Sequence, residues 1–203
     1  MELEGKWEPV GSVTINEIEQ CRWEPYTLGE RELLRQTNLY FDTAEHALRQ
    51  NKYALRLRNE NGELIVTLKG PNQGSAGIHQ RLEEEAHTTS NDPASWPSQI
   101  MDRLRSLIAG KTLAPFLRIE NERQAWPVLR NGQLIGELAL DTGTIFAGEQ
   151  RGPIHELEWE LKGGSEADFQ TLYGMIGAML PLRPSTISKL ERGLALLEHT
   201  PAN

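Results

Sequence analysis

Charged and apolar side chains alternate along five segments of the chain, and alternation of this kind is typical of β-strands. In the first segment, Glu2, Glu4 and Lys6 share one face. The other four segments repeat the pattern at Arg56 and Arg58, at Thr67 and Lys69, at Arg81, Glu83 and Glu85, and at Glu156, Glu158 and Glu160. Strands with charge on one face and Leu, Val or Trp on the other suit a closed barrel with a wet lumen and helices outside.

The same patterns predict the order of the elements. Strands are expected at about 1–10, 36–42, 52–59, 63–70, 77–87, 115–129, 133–147 and 154–162, and two Asn-Gly turns, at 61–62 and 131–132, indicate hairpins. Helices are expected at about 12–23, 43–50, 98–109, 165–179 and 186–198. We therefore predict one α+β domain over residues 1–203, an eight-stranded antiparallel closed β-barrel (a tunnel) with helices packed outside.

Composition narrows the class of protein. Hydrophobic residues make up 38% of the 203 residues, which is low for a globular protein and fits a polar interior. No apolar run is long enough to span a membrane, and no signal peptide is expected because charge begins at Glu2. The single cysteine, Cys21, excludes an intramolecular disulfide and favours a reducing compartment, so we expect a cytoplasmic protein. The net charge of −8 argues against binding of a nucleic-acid polymer.

The patterned charges form an acidic and a basic set. The acidic set is Glu2, Glu4, Glu156, Glu158 and Glu160, with Glu137 and Asp141 on the preceding strand. The basic set is Lys6, Arg56, Arg58, Lys69, Arg81 and Arg123, with Lys189 and Arg192 on the last helix. Carboxylates suit Mg²⁺ or Mn²⁺, and Arg and Lys suit phosphate oxygens. Each segment alone would indicate a solvated strand face. Together they indicate a site for a phosphate chain and a metal.

Eight short motifs follow one another along almost the whole chain. They are Glu2-Leu-Glu-Gly-Lys6, Leu39-Tyr-Phe-Asp-Thr43, Leu55-Arg-Leu-Arg58, Val66-Thr-Leu-Lys-Gly70, Arg81-Leu-Glu-Glu-Glu85, Glu137-Leu-Ala-Leu-Asp141, Glu156-Leu-Glu-Trp-Glu160 and Ser188-Lys-Leu-Glu-Arg-Gly193. In this order they resemble the CYTH superfamily, the triphosphate tunnel metalloenzymes. The stretch from Glu137 to Gly164 especially resembles the bacterial inorganic triphosphatases of that group.

The resemblance implies an eight-stranded tunnel that binds a linear triphosphate and hydrolyses it with Mg²⁺ or Mn²⁺. The implied metal ligands are Glu2, Glu4, Glu156, Glu158 and Glu160. The implied substrate-binding residues are Lys6, Arg56, Arg58, Lys69, Arg123, Lys189 and Arg192, to which the charge pattern adds Arg81. Glu4, Lys69 and Asp141 are the expected catalytic residues, and water is the expected nucleophile because no side chain is placed as one.

The expected substrate is inorganic tripolyphosphate, which would yield pyrophosphate and phosphate. Thiamine triphosphate, a nucleoside triphosphate, and cyclisation of ATP as in class IV adenylate cyclases remain alternatives. The His-Phe and Gly-rich segments associated with those cyclases are not found. A non-catalytic module that binds polyphosphate or a nucleotide is the alternative from another class. The sequence leaves open whether the protein is a monomer or a homodimer.

Two features depart from the family pattern. Gly5 stands where a larger residue is more common, which is expected to loosen the first strand, and no helical phosphate-binding domain is expected after the tunnel. Trp7, Trp126 and Trp159, which lie beside the motifs, are expected to pack between barrel and helices. His79 and His155 are expected at the surface, and a proton carrier near neutral pH is the alternative for one of them.

Overall fold

The computed structural model describes residues 1–198, in which five α-helices accompany one antiparallel sheet. The strands are β1 (Glu2–Pro9), β2 (Tyr26–Leu28), β3 (Glu32–Asp42), β4 (Ala54–Glu60), β5 (Glu63–Lys69), β6 (Ile78–Arg81), β7 (Glu83–Thr88), β8 (Ala114–Arg130), β9 (Gln133–Ala147), β10 (Gln150–Leu161) and β11 (Leu182–Pro184). The helices are α1 (Ile15–Gln20), α2 (Ala47–Gln50), α3 (Ser98–Ile108), α4 (Glu166–Met179) and α5 (Lys189–Glu198). None of these helices has both the length and the apolar composition needed to cross a membrane.

The sheet follows one path through nine strands, in the order β11-β1-β10-β9-β8-β3-β4-β5-β7. In addition, β2 pairs with β8 and β6 pairs with β1. The predicted α+β class and antiparallel sheet are confirmed. Residues 1–198 contain eleven strands where eight were predicted. The three extra strands arise because β2 and β11 are short additions to the sheet, and because the strand predicted at 77–87 divides at Leu82.

Residues 78–88 link β5 to β1. In β6, Arg81 pairs with Glu2 of β1, whereas in β7 Glu83 pairs with Lys69 of β5. Only Leu82 separates the two short strands. Arg81 and Glu83 are two positions apart along an extended segment, so their side chains fall on the same side. The charged face of the sheet therefore continues from β5 through this segment to β1.

Apolar side chains pack between the sheet and the helices on its outer side. Trp7, Trp126 and Trp159 are each at most 1% exposed and pack with Phe169 and Ile176 of α4, as predicted. A second cluster joins α3 to the outer face of β4 and β5 through Leu104, Leu55, Leu57, Val66 and Leu68. These leucines and valines alternate with the charged residues of the same strands, so burying one face directs the other inward.

Helix α5 packs against β9 and β10, where its residue Leu190 joins a third apolar cluster that contains Leu117 and Ile145. Leu190 also lines the inner face of the sheet, so α5 departs from the prediction that the helices pack outside. The helix approaches closely at Gly193, where a Cβ atom would lie 2.6 Å from Leu117 Cδ1. A glycine is therefore needed for this contact. The close packing brings Lys189, the first residue of α5, to the inner face of the sheet.

Gly5 does not loosen β1, contrary to the expectation from sequence. A Cβ atom at Gly5 would lie 2.5 Å from Tyr173 Cδ2 and 2.9 Å from Trp7 Cη2. The space that a larger residue would need is occupied by these two rings, so the glycine allows α4 to pack directly on β1.

Candidate active site

A cavity of about 530 Å³ lies on the inner face of the curled sheet. Its wall combines alternate residues of β1, β3, β4, β5, β8 and β10 with residues from β6, β7, β9 and α5. Of the predicted site residues, Glu2, Glu4, Lys6, Arg56, Arg58, Lys69, Arg81, Arg123, Glu158, Glu160 and Lys189 line it. Asp141 and Glu156 contact lining residues through ion pairs, and Arg192 pairs with Glu156 behind the lining. The structure thus brings the predicted acids and bases together.

The charges around the cavity are nearly balanced. Eight basic and eight acidic side chains line it. Adding either a metal ion or a polyanion alone would leave an excess of one sign in a partly desolvated space. A metal ion and an anion that enter together keep the balance, so the lining suits a metal–anion complex better than either component.

Three buried carboxylates form the one oxygen cluster found in residues 1–198 that could hold a metal ion. Asp141, Glu156 and Glu158 each present an oxygen within 4.8 Å of the other two. The register of the sheet places them there, because Asp141 of β9 pairs with Glu156 of β10, and Glu158 follows two positions later on the same face. An all-oxygen donor set of this size suits Mg²⁺ or Mn²⁺. The predicted ligands Glu2, Glu4 and Glu160 are not part of this cluster.

The ammonium group of Lys189 lies among the same three carboxylates. Its Nζ is 2.8 Å from Asp141 Oδ2 and 2.9 Å from Glu158 Oε1, and it also contacts Glu156 Oε1. Lys6 Nζ is 2.9 Å from Glu158 Oε1 but 4.0 Å from Glu156 Oε1. Lys189 is therefore the cation most evenly shared by the cluster.

Burial and neighbouring cations set opposite pKa shifts within the cluster. Burial opposes ionisation of Asp141, but Arg123 and Lys189 outweigh it and hold the pKa of that carboxyl below its ordinary value. The pKa of Glu158 is held well below its ordinary range by Lys189 and Lys6 against the same burial penalty. For Glu156, burial outweighs the nearby cations and raises the pKa. Glu156 is thus the carboxyl of the cluster whose ionised form is least favoured.

Glu2 and Glu4 belong to a second ion-pair group, on the wall formed by β1 and β6. Arg81 Nε donates to Glu2 Oε2 at 2.7 Å, and Arg81 Nη2 donates to Glu4 Oε1 at 3.1 Å. Lys69 Nζ donates to Glu2 Oε1 at 2.9 Å. Lys6 Nζ lies 3.4 Å from Glu4 Oε1 and also contacts Glu158, so it joins the two carboxylate groups.

The remaining predicted metal ligand, Glu160, lies further out. Its Oε1 is 2.7 Å from Lys162 Nζ, and about half of the Lys162 side chain is exposed. Burial raises the pKa of Glu160, and Lys162 only partly offsets it.

Four arginines, Arg49, Arg56, Arg58 and Arg192, present a buried Nε–H that lacks an acceptor among the described residues. Only Arg56 and Arg58 line the cavity. A buried donor without a partner costs roughly 1–3 kcal/mol, so these two arginines are poised for a ligand that supplies acceptors. Burial lowers the pKa of Arg58, and the neighbouring cations Arg56 and Arg123 lower it further.

A chain of amides on β3 and β8 adjoins the carboxylates and is not among the predicted site residues. Asn121 Nδ2 donates to Gln36 Oε1 at 3.0 Å and to Asp141 Oδ1 at 3.1 Å, and Asn38 Nδ2 donates to Asn121 Oδ1 at 3.1 Å. Gln36, Asn38 and Tyr40 alternate along β3, with Leu39 and Phe41 on the other face. This alternation is the signal in the sequence that points to these residues, although their side chains carry no charge.

The carboxylates of β7 were also left out of the predicted site. Glu83 Oε2 accepts from Lys69 Nζ at 3.0 Å, and Glu85 Oε1 accepts from Thr67 Oγ1 at 2.9 Å. Both continue the alternation that begins at Arg81. They supply counter-charges for the basic residues of β4 and β5.

His79 is buried, so its predicted surface position is wrong. It is 2% exposed, and its ring nitrogens lie 3.2 Å from Asn72 Nδ2 and 3.4 Å from the Ser185 carbonyl oxygen. His79 is two residues from Arg81 and shares its inward face, which the prediction overlooked. Burial, together with Lys6, lowers its pKa. His155 is half-buried, 3.3 Å from the Val13 carbonyl oxygen.

Comparison with known proteins identifies the family of this chain. The profile of the CYTH domain matches residues 8–194. The inorganic triphosphatase of Haemophilus influenzae is 31% identical over 178 residues, which cover 84% of this chain and 48% of that protein. The chain thus spans about half the length of this curated relative.

Solved structures support the same fold. A candidate adenylyl cyclase from Hippeastrum, described as having a dominant triphosphatase activity, aligns with a TM-score of 0.72 at 22% identity over 96% of both chains. The PH1819 protein of Pyrococcus horikoshii aligns with a TM-score of 0.62 at 19% identity, over 96% of this chain and 99% of its own. At sequence identities this low, the structural similarity is evidence for the fold alone. Because the family profile matches most of its length, this chain belongs to the CYTH domain family.

Proposed function

We propose that this chain hydrolyses a linear triphosphate with a divalent metal ion, and that inorganic tripolyphosphate is the substrate, split into pyrophosphate and phosphate. The observation that carries the proposal is the lining of the cavity, where eight acids and eight bases surround about 530 Å³. Phosphoryl transfer needs mainly positioning and neutralisation of charge, and such a lining can supply both. The curated relative that is called an inorganic triphosphatase agrees with this choice of substrate.

Asp141, Glu156 and Glu158 would hold the metal ion in this proposal. Their oxygens lie within 4.8 Å of one another, close enough for one ion, and burial raises the pKa of Glu156 in spite of the nearby cations. A bound Mg²⁺ or Mn²⁺ polarises phosphoryl oxygens and makes a bound water more acidic. The low pKa of Asp141 makes it a poor acceptor of protons, so its role is to hold charge and orient neighbours.

The basic residues of neighbouring strands would bind the phosphate chain. Arg56 and Arg58 of β4 offer buried Nε–H groups without acceptors among residues 1–198. On the adjoining part of the wall, Lys69 of β5 and Arg81 of β6 are held in place by Glu2, which accepts from both. Phosphate oxygens accept strong charge-assisted hydrogen bonds from such groups.

The remaining predicted residues would position these groups. Glu4 orients Lys6 and Arg81, and Arg192 contacts Glu156 from α5. The hydroxyl of Ser188, which lies in the lining, accepts a hydrogen bond of 3.2 Å from the backbone N–H of Glu191, and it therefore caps the N-terminus of α5. We therefore assign no covalent step to the chain, and water is the nucleophile.

The sheet would form a closed eight-stranded tunnel within a single domain over residues 1–203. Residues 78–88 would act as the eighth strand, since β6 pairs with β1 and β7 pairs with β5. The contacts of Lys69 Nζ with Glu2 and Glu83 cross the same junction. A closed sheet explains how charged faces from strands distant in sequence come to share one cavity.

Phosphate release from a panel of substrates tests the proposed reaction. The panel contains tripolyphosphate, pyrophosphate, ATP and thiamine triphosphate, each with Mg²⁺, with Mn²⁺ and with EDTA, and the products are separated by chromatography. Tripolyphosphate should be turned over fastest, and EDTA should abolish turnover. If ATP is converted to cyclic AMP faster than tripolyphosphate is split, or thiamine triphosphate is converted to the diphosphate faster, then that compound is the substrate instead of tripolyphosphate. Tight metal-dependent binding without any product would indicate a binding module instead.

A pair of glutamate variants tests the site. Glu158→Gln removes a charge that contacts Lys6, Arg123 and Lys189, and it should lower the rate by at least about 100-fold. Glu122→Gln makes the same chemical change on an exposed residue of β8 that pairs with Arg35, and it should leave the rate unchanged. Equal rates for the two variants would refute the assignment of the cavity as the active site.

A further inference from the structure

We propose that the ammonium group of Lys189 occupies the metal position of the ligand-free cavity, and that the metal and the triphosphate bind cooperatively because this lysine must move from carboxylates to phosphate. The inference rests on the proposed function for the identity of the two ligands. It concerns the binding of those ligands and assigns Lys189 a positioning role.

The contacts of Lys189 single it out from the other cations of the cavity. Its Nζ is within 2.9 Å of Asp141 Oδ2 and Glu158 Oε1, and it contacts Glu156 Oε1. These are the three carboxylates whose oxygens lie within 4.8 Å of one another. A metal ion bound by all three would share its coordination space with Nζ, and two cations repel strongly at such a distance in a buried site.

The other cations do not stand in the way. Lys6 Nζ lies 3.4 Å from Glu4 Oε1, so it keeps a partner outside the cluster if the ion takes Glu158. Arg123 holds Asp141 side-on, with Nε 2.9 Å from Oδ1 and Nη2 2.7 Å from Oδ2. Neither of them contacts all three carboxylates, whereas Lys189 does.

The energetic consequence is a coupling between the two ligands. If the metal ion binds alone, Lys189 loses its three partners while it remains largely buried, with 13% of its side chain exposed. A triphosphate supplies new acceptors for the displaced ammonium group. The metal ion should therefore bind weakly alone and more tightly when a triphosphate is present, and by linkage the triphosphate should gain the same factor from the metal.

Mn²⁺ binding to the whole chain tests this coupling. Free Mn²⁺ is measured by electron paramagnetic resonance, with and without a methylene-bridged triphosphate that cannot be hydrolysed. Wild-type protein should bind Mn²⁺ at least about tenfold more tightly with the analogue than without it. Lys189→Met should bind Mn²⁺ about tenfold more tightly than wild type in the absence of the analogue, and the gain from the analogue should shrink. Lys111→Met removes a charge paired with Glu45 outside the cavity, and it should match wild type within about twofold.

The result that would overturn the inference is Mn²⁺ binding by Lys189→Met that is no tighter than wild type. The inference would also be overturned if wild-type protein bound Mn²⁺ with the same affinity in the presence and in the absence of the analogue. That measurement needs no variant. If Lys189→Met is poorly folded, Mn²⁺ should raise its melting temperature more than that of wild type, because the ion replaces the missing charge. Absence of hydrolysis with these binding results intact would count against the proposed function but not against the displacement of Lys189.

Discussion

Replacing Gly5 with alanine should destabilise the protein because the side chain has no room. The new Cβ atom would lie 2.5 Å from Tyr173 Cδ2, 2.8 Å from Tyr173 Cε2 and 2.9 Å from Trp7 Cη2. Carbon atoms of packed side chains are ordinarily about 3.5–4.0 Å apart, so the tyrosine ring must move by roughly 1 Å. That movement is opposed by neighbours, since the ring centroid lies 4.5 Å from that of Trp7 and 6.0 Å from that of Phe169. Tyr173 Oη also donates to the Ala76 carbonyl oxygen at 2.9 Å.

The expected cost of Gly5→Ala follows from these contacts. Overpacking of a well-packed core costs about 1–3 kcal/mol. Because the ring is restrained on three sides, and because its hydrogen bond contributes roughly a further 1 kcal/mol if broken, we expect about 2–3 kcal/mol. For a chain of this length the melting temperature should fall by roughly 4–12 °C. Activity should fall too, since Glu4 and Lys6 flank the altered residue on β1.

Chemical denaturation followed by tryptophan fluorescence measures the free energy of unfolding. Gly174→Ala is a matched control, because a Cβ atom there would meet no atom within 4 Å and the residue lies in α4 beside Tyr173. It should be neutral or stabilising by up to about 1 kcal/mol. Adding Tyr173→Leu to Gly5→Ala should cost less than the sum of the single changes. A free energy for Gly5→Ala within about 0.5 kcal/mol of wild type would refute the packing argument.

Two further predictions concern charge. Arg58→Met should raise the KM for tripolyphosphate by about 10–100-fold, since it removes charge-assisted hydrogen bonds. It should not lower the melting temperature, because burial and Arg56 disfavour the charge of Arg58 in the free protein, and a clear drop would contradict this view. Asp168→Asn should lower the free energy of unfolding at pH 7 by about 1 kcal/mol, because Asp168 completes the capping box of α4 with Ser165. Hydrogen bonds from Ser165, with Arg130 nearby, hold the pKa of Asp168 at about 2. This lies below the unfolded value of about 3.9, so the stabilisation is complete above that pH and fades as pH falls towards 2. Denaturation of wild type and variant should thus differ less at pH 3 than at pH 7, and a constant difference would count against the assignment.

The alternation of charged and apolar residues was sufficient to predict most of the sheet. The bounds of β9 at 133–147 and the inward face of β10 followed from it, because a strand that exposes Glu156 and Glu158 to one side must bury Leu157 and Trp159 on the other. The two Asn-Gly turns predicted the hairpin between β4 and β5 and the hairpin between β8 and β9. Local patterns therefore determine which way each strand faces.

Other features depend on contacts between distant parts of the chain. The strands β2 and β11 have three residues each, too few for any alternation to be visible, and they form by pairing with β8 and β1. The oxygen cluster that includes Asp141 requires the register between β9 and β10, and the position of Lys189 requires the close approach of α5 at Gly193. No single segment of the sequence contains this information.

The most direct test of the central claim is a phosphorus NMR time course of tripolyphosphate with purified protein and Mg²⁺. The account predicts that the tripolyphosphate signals decay while pyrophosphate and orthophosphate signals grow in equal molar amounts, and that Glu158→Gln prevents both changes. Tripolyphosphate that remains intact for hours beside folded wild-type protein would contradict the account, as would equal decay with Glu158→Gln.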